Sequence, residues 1–130
     1  MRRLAHGFGY WIWRSAAALA QRLPTSVLYP VASALGEAAY LTWSRRRRIA
    51  KENFARVLGR PADDPAVAAV ARRSFRNFAK YIVEIMRFPL LRPGDLERLV
   101  AVEGWEHLRE ATKHGRGLIF VSIHFGNFEM

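Results

Sequence analysis

Leu118-Ile119-Phe120-Val121-Ser122-Ile123-His124-Phe125-Gly126-Asn127-Phe128-Glu129 carries the strongest signal of fold class in the chain. Residues 118–123 are apolar on both faces apart from Ser122, the pattern of an interior strand covered on two sides. His124 stands where that strand leaves the sheet, which is where α/β folds present ligand-binding and catalytic groups. Gly126 permits a sharp turn, and Asn127 suits the N-cap of a following helix. Glu129 then falls in the first helical turn. From there a carboxylate reaches back to one imidazole nitrogen, fixes the tautomer and raises the basicity of the other nitrogen. Such a pair is an oriented general base. A satisfied histidine at a strand end, with Glu129 merely complementing the helix dipole, fits the same residues. On the residues alone both readings stand. His6, His107 and His114 have no acid at this spacing.

Working back from His124, Leu99-Val100-Ala101-Val102 reads as a short strand closed by Glu103-Gly104. Trp105 to His114 reads as a helix with Gly115 as its stop. The order strand–helix–strand is the opening of an α/β unit. Gly115-Arg116-Gly117 precedes a strand, whereas phosphate cradles follow one, so it is not a phosphate loop. Further back, Asp64-Pro65 marks a helix start, with Asp as N-cap and Pro at the first helical position. Val67, Val70, Ala71, Phe75, Phe78 and Ile82 recur at three- and four-residue spacing up to the stop at Phe88-Pro89. Their simplest role is core packing. Arg60-Pro61-Ala62-Asp63 is the linker expected to divide the chain into residues 1–60 and 61–130.

The first of these halves is basic and apolar at once. It holds 11 of the 21 Lys and Arg residues against Glu37 and Glu52, a net +9 out of the chain's +10. Helices are expected over 8–22, 31–44 and 47–58, with Gly59 as a C-terminal stop. Val31, Leu35, Ala38, Ala39 and Thr42 share one face of the second, and its other face is also largely apolar. A helix apolar all round is buried or in lipid. Arg14 and Arg22 interrupt the first helix, and the second is at the lower limit for crossing a bilayer. Trp11, Trp13 and Trp43 beside Arg45-Arg46-Arg47-Arg48 suit helices lying at a membrane interface. That collar is the expected contact with an anionic membrane or an acidic carrier protein. Nucleic-acid arms rarely carry so much aliphatic bulk, so no nucleic acid is expected. Met1-Arg2-Arg3 superficially resembles a signal peptide, but no small-x-small cleavage site precedes Pro24. With no cysteine among 130 residues, disulfides and Cys metal sites are excluded.

The motif His124-Phe125-Gly126-Asn127-Phe128-Glu129 resembles that of bacterial lysophospholipid-acyltransferase-like enzymes. The branch is that of the lipid A secondary (lauroyl/myristoyl) acyltransferases, which includes phosphatidylinositol mannoside acyltransferases. Leu23-Pro24, Leu35-Gly36, the Arg45–Arg48 collar with Ala50 and Asn53, Val102-Glu103-Gly104 and Gly115-Arg116-Gly117 occur in the family's order. Phe128 stands where the family usually has Trp. The resemblance implies an α/β fold: N-terminal membrane-associated helices followed by the start of a glycerolipid-acyltransferase-like α/β domain. Family members are longer, so it also implies an N-terminal portion that is inactive alone. The implied reaction moves an acyl chain from acyl-carrier protein or acyl-CoA to a hydroxyl of a membrane glycolipid, a lipid A precursor or a relative. His124 would be the general base and Glu129 its partner. Gly126 and Asn127 would meet substrate, and no metal or further cofactor is implied. The implied location is the cytoplasmic face of a bacterial inner membrane, held peripherally or by a single N-terminal anchor. A non-catalytic basic module binding membrane or nucleic acid, with an incidental His–Glu pair, is the alternative.

Overall fold

A computed structural model describes residues 2–113, 115 and 117–123. Among these are six helices: α1 Arg2–Arg22, α2 Thr25–Thr42, α3 Ser44–Leu58, α4 Pro65–Arg87, α5 Asp95–Leu99 and α6 Trp105–Thr112. A single 3-10 turn, Phe88–Leu90, follows α4. The chain divides between Leu90 and Leu91 into two compact units.

The first unit is organised by α4, against which α1, α2 and α3 all pack. The helix starts as its sequence predicts: Asp64 Oδ1 accepts the Ala66 N–H at 2.7 Å, and Pro65 occupies the first helical position. α2 lies along α4 through Leu28, Ala32, Gly36 and Tyr40, a ridge of buried residues four apart. Val67 and Ala71 of α4 are buried beneath it. This is not the face that hydropathy favours, since Val31 and Leu35 are exposed. The reason is size. A Cβ on Gly36 would lie 2.5 Å from the Phe75 carbonyl oxygen and 2.8 Å from Arg76 Cα, so only glycine permits this approach. Tyr40 then stands edge-on to Phe75, ring centroids 5.5 Å apart.

α2 also begins six residues earlier than expected, at Thr25, and carries Pro30 inside it. The proline leaves the carbonyl of Ser26 without its helical donor. Ser26 is solvent-exposed at the start of the helix, where water can replace that bond. At the other end of α4, Gln21 Nε2 donates to the Met86 carbonyl at 2.8 Å, and Arg87 Nη1 donates to the Leu23 carbonyl at 2.7 Å and to that of Ala20. The Arg87 bonds satisfy carbonyls at the C-terminus of α1, where Leu23-Pro24 stops that helix. Gly59 ends α3 in the left-handed region, φ 62°. The stretch expected to divide the chain, residues 60–63, is a turn inside this unit. Asp64 N–H donates to Pro61 O at 3.0 Å, and Arg60 pairs with Asp64 at 3.2 Å.

Glu37 of α2 and Arg72 of α4 form an ion pair at 2.5 Å across the main packing seam. The hydrogen bond from Arg72 holds the Glu37 carboxyl below its ordinary value of 4.5. A carboxyl with a depressed folded pKa contributes stability above its unfolded pKa and loses it as pH falls through the folded one. Thermal stability of the helical unit should therefore decline below about pH 4.5. Glu37→Gln should flatten part of that decline in a circular-dichroism melting series. A variant with the unaltered pH dependence of the parent would show that the pair contributes nothing.

The second unit differs from expectation in its strands. Leu99 is the last residue of α5, and neither 100–102 nor 118–123 forms a strand. A strand needs a neighbour to take its alternate N–H and C=O groups. Among the described residues no strand is present to pair with, so the α/β architecture is not realised in them. The helix expected after Gly104 does form: Gly104 adopts φ 84° and precedes α6. Among the described residues, no helix is long and apolar enough to cross a membrane.

Candidate functional site

His124, Gly126, Asn127 and Glu129 lie outside the described residues. The stretch leading to them is described and is bare: Ile119 is 90% and Val121 86% exposed. Such an apolar run is buried only when layers cover it on both sides.

The basic collar resolves into separate jobs. The chain breaks between α2 and α3 at Trp43, so α3 leaves α2 at a corner. Arg47 turns back from α3 and donates to the carbonyls of Tyr40 at 2.9 Å and Leu41 at 2.7 Å, the last turn of α2. Its guanidinium also lies 5.7 Å from the centre of the Tyr40 ring. Arg47 thus caps the C-terminus of α2. Arg48 pairs with Glu52 at 3.8 Å, one turn along the exposed surface of α3. Arg45 and Arg46 carry no ion pair among the described residues, and Arg46 stacks 5.2 Å from the centre of the Trp43 ring. The sequence presents the four arginines as one patch. Their spacing around a helix that starts at a corner sends one inward and leaves three facing out, two of them without an ion pair among the described residues.

Beside the corner, between α2 and α4, is an apolar groove of about 730 Å³. Leu35, Gly36 and Ala39 form one wall, and Phe75, Phe78 and Ile82 the other; Trp43 and Arg46 stand on its edge. Phe78, which periodicity alone assigns to the core, is 63% exposed here. The groove opens where the small residues Ala32, Gly36 and Ala39 of α2 face Phe75 and Ala79 of α4.

The family model for bacterial lipid A biosynthesis acyltransferases matches residues 2–130. The chain belongs to this acyltransferase family. The match in the lipid A acyltransferase family runs through the His124-Phe125-Gly126-Asn127-Phe128-Glu129 motif as well as through the helical unit. A curated relative, the phosphatidylinositol mannoside acyltransferase of Mycolicibacterium smegmatis, is 34% identical over 80 residues, 62% of this chain and 26% of that protein. The aligned stretch thus spans about a quarter of the relative's length. No solved structure matches this acyltransferase-family chain.

Proposed function

We propose that the chain carries the base of an O-acyltransferase that moves a fatty acyl group from a thioester to a hydroxyl of a membrane glycolipid. The observation that carries this reading is the family match across residues 2–130, which includes the His–acid motif. In the proposed step His124 takes the proton from the acceptor hydroxyl as its oxygen attacks the thioester carbonyl carbon. A C–O bond forms, the C–S bond breaks, and the proton passes from the imidazolium to the departing thiolate. The thioester is already activated, so no acyl-enzyme intermediate is needed. Glu129 orients the imidazole and stabilises its charged form. Gly126 leaves room for the substrate, and Asn127 contacts it. The donor is acyl-carrier protein or acyl-CoA, and the acceptor is a lipid A precursor or a related glycolipid. No nucleic acid takes part.

The same reading places the protein on the cytoplasmic face of a bacterial inner membrane, with residues 1–60 against the lipid. Tyr10, Trp11, Ile12 and Trp13 at one end and Trp43 at the other are exposed apolar groups among cationic ones. Replacing both Arg45 and Arg46 with Gln should weaken binding to phosphatidylglycerol-rich vesicles about thirtyfold. It should also flatten the salt dependence and leave binding to phosphatidylcholine unchanged. Arg47→Gln should instead lower helicity, because it removes the cap of α2. Sedimentation with vesicles and circular dichroism separate the two; equal binding of the parent to neutral and acidic vesicles would remove the electrostatic part.

The enzyme reading is tested by carrying residues 1–130 within a polypeptide of the family's length, since the portion alone is expected to be inactive. That protein should release free thiol from an acyl thioester only when a glycolipid hydroxyl is supplied. Thiol release without an acceptor would make it a thioesterase. Tight vesicle binding with no turnover would favour the membrane-module alternative.

A further inference from the structure

The groove between α2 and α4 has the proportions of a ligand site and a polarity that differs from end to end. Its volume of about 730 Å³ lies within the range of small-molecule clefts. α2 and α4 run antiparallel, since Tyr29 meets Glu84 while Gly36 meets Phe75. From Ala32 to Trp43 the apolar wall therefore extends about 16 Å along the helix. No acidic residue lines it. Its single charged lining residue, Arg46, stands at the Trp43 end, stacked on that indole and without an ion pair among the described residues. Arg45, equally unpaired, is its neighbour. Ser74 is the remaining polar side chain of the wall, and its hydroxyl is engaged by the Ala71 carbonyl at 2.8 Å. One end thus attracts an anion, and the rest offers only aliphatic and aromatic surface.

We propose that this groove binds one acyl chain of an anionic phospholipid, with the headgroup phosphate on Arg46 and the chain laid along Leu35, Phe78 and Ile82. The charge complementarity selects the head, and the length and lining select the tail. The site is separate from the His124 motif and rests on the acyl-lipid reading only for its class of ligand. It gives the corner between α2 and α3 a lipid to hold individually, beyond general attraction to a charged surface. Each buried methylene would add to the affinity, so binding strengthens with chain length until the groove is filled.

The test uses Trp43 as reporter, in a chain with Trp11, Trp13 and Trp105 replaced by Phe. The probe is lysophosphatidylglycerol brominated along its acyl chain, kept below the concentration at which it forms micelles. Saturable quenching of Trp43 is expected. The equally brominated lysophosphatidylcholine should bind about fivefold more weakly, and glycerol phosphate should not compete at similar concentrations. Arg46→Gln should bring the anionic probe to the level of the choline one. Ala39→Leu and Ala79→Leu each narrow the groove and should abolish quenching. Circular dichroism identifies a variant that fails to fold, and Arg46→Gln, on the surface, decides the matter if both narrowing variants do. Non-saturable quenching, quenching untouched by these changes, or quenching by vesicles alone would overturn the proposal. So would a dimer in sedimentation equilibrium that Ala79→Leu dissociates, because a second copy would then fill the groove. No turnover is required, so the result stands apart from the fate of the His124 motif.

Discussion

Gly36→Leu is expected to take the α2–α4 pair apart. At the crossing the two backbones are so close that even a methyl group on Gly36 would sit 2.5 Å from Phe75 O and 2.9 Å from its carbonyl carbon. Neither is the end of a flexible side chain, so a whole helix must move. Overpacking of this kind typically costs about 1–3 kcal/mol for small additions. Gly36→Ala should therefore lose about that much even though alanine is the better helix former by about 1 kcal/mol. Leucine adds three more carbons at the same point and should leave no cooperative transition. Gly9 is the control: it is also helical, and nothing lies within 4 Å of where its Cβ would be. Gly9→Ala should raise stability by about 0.4–1 kcal/mol. Denaturant melts of the three variants read the sign directly. Equal stabilisation by Gly9→Ala and Gly36→Ala would contradict the close crossing on which the fold and the groove both depend.

His124→Ala has the largest expected effect on activity. The hydroxyl of a lipid acceptor is a poor nucleophile until its proton has somewhere to go. General-base catalysis typically contributes about 10²–10⁴-fold, and the initial rate of transfer in a family-length protein should fall by that amount. Vesicle binding should not change, because the residues proposed for it lie in the first 60. The measurement is initial rate with an acyl thioester and a glycolipid acceptor, with helicity checked separately.

Much of the helical unit is legible in the sequence because helix ends are made by local chemistry. Asp64-Pro65, Gly59, Leu23-Pro24 and Phe88-Pro89 each act within a few residues, and each falls where the structure puts a boundary. What hydropathy misreads is the face of α2. It ranks Leu35 above Gly36, whereas close packing of two helices ranks small size above hydrophobicity at the crossing. Arg47 is misread for a related reason: four consecutive arginines look alike until the corner at Trp43 directs one of them onto α2. Pro30 looks like a boundary because its cost is local, while the burial of Ala32, Gly36 and Tyr40 that carries the helix through it is not. The strands at 99–102 and 118–123 are the clearest departure. Hydrophobic pattern marks a segment as fit for a sheet, but the ladder bonds come from other segments, and none of the described residues supplies them. The candidate site is readable only as a motif, His124 and Glu129 with glycine between, and those residues lie outside the described ones.

If His124 and Glu129 work as one catalytic unit, a double-mutant cycle on transfer rate will show it. Glu129→Gln should slow transfer severely, because the amide cannot stabilise the imidazolium that forms as the proton moves. The double variant should be little slower than His124→Ala, since a residue that orients an absent base has nothing left to orient. Near-normal rates in folded His124→Ala, or losses from the two substitutions that simply add in free energy, would contradict the account.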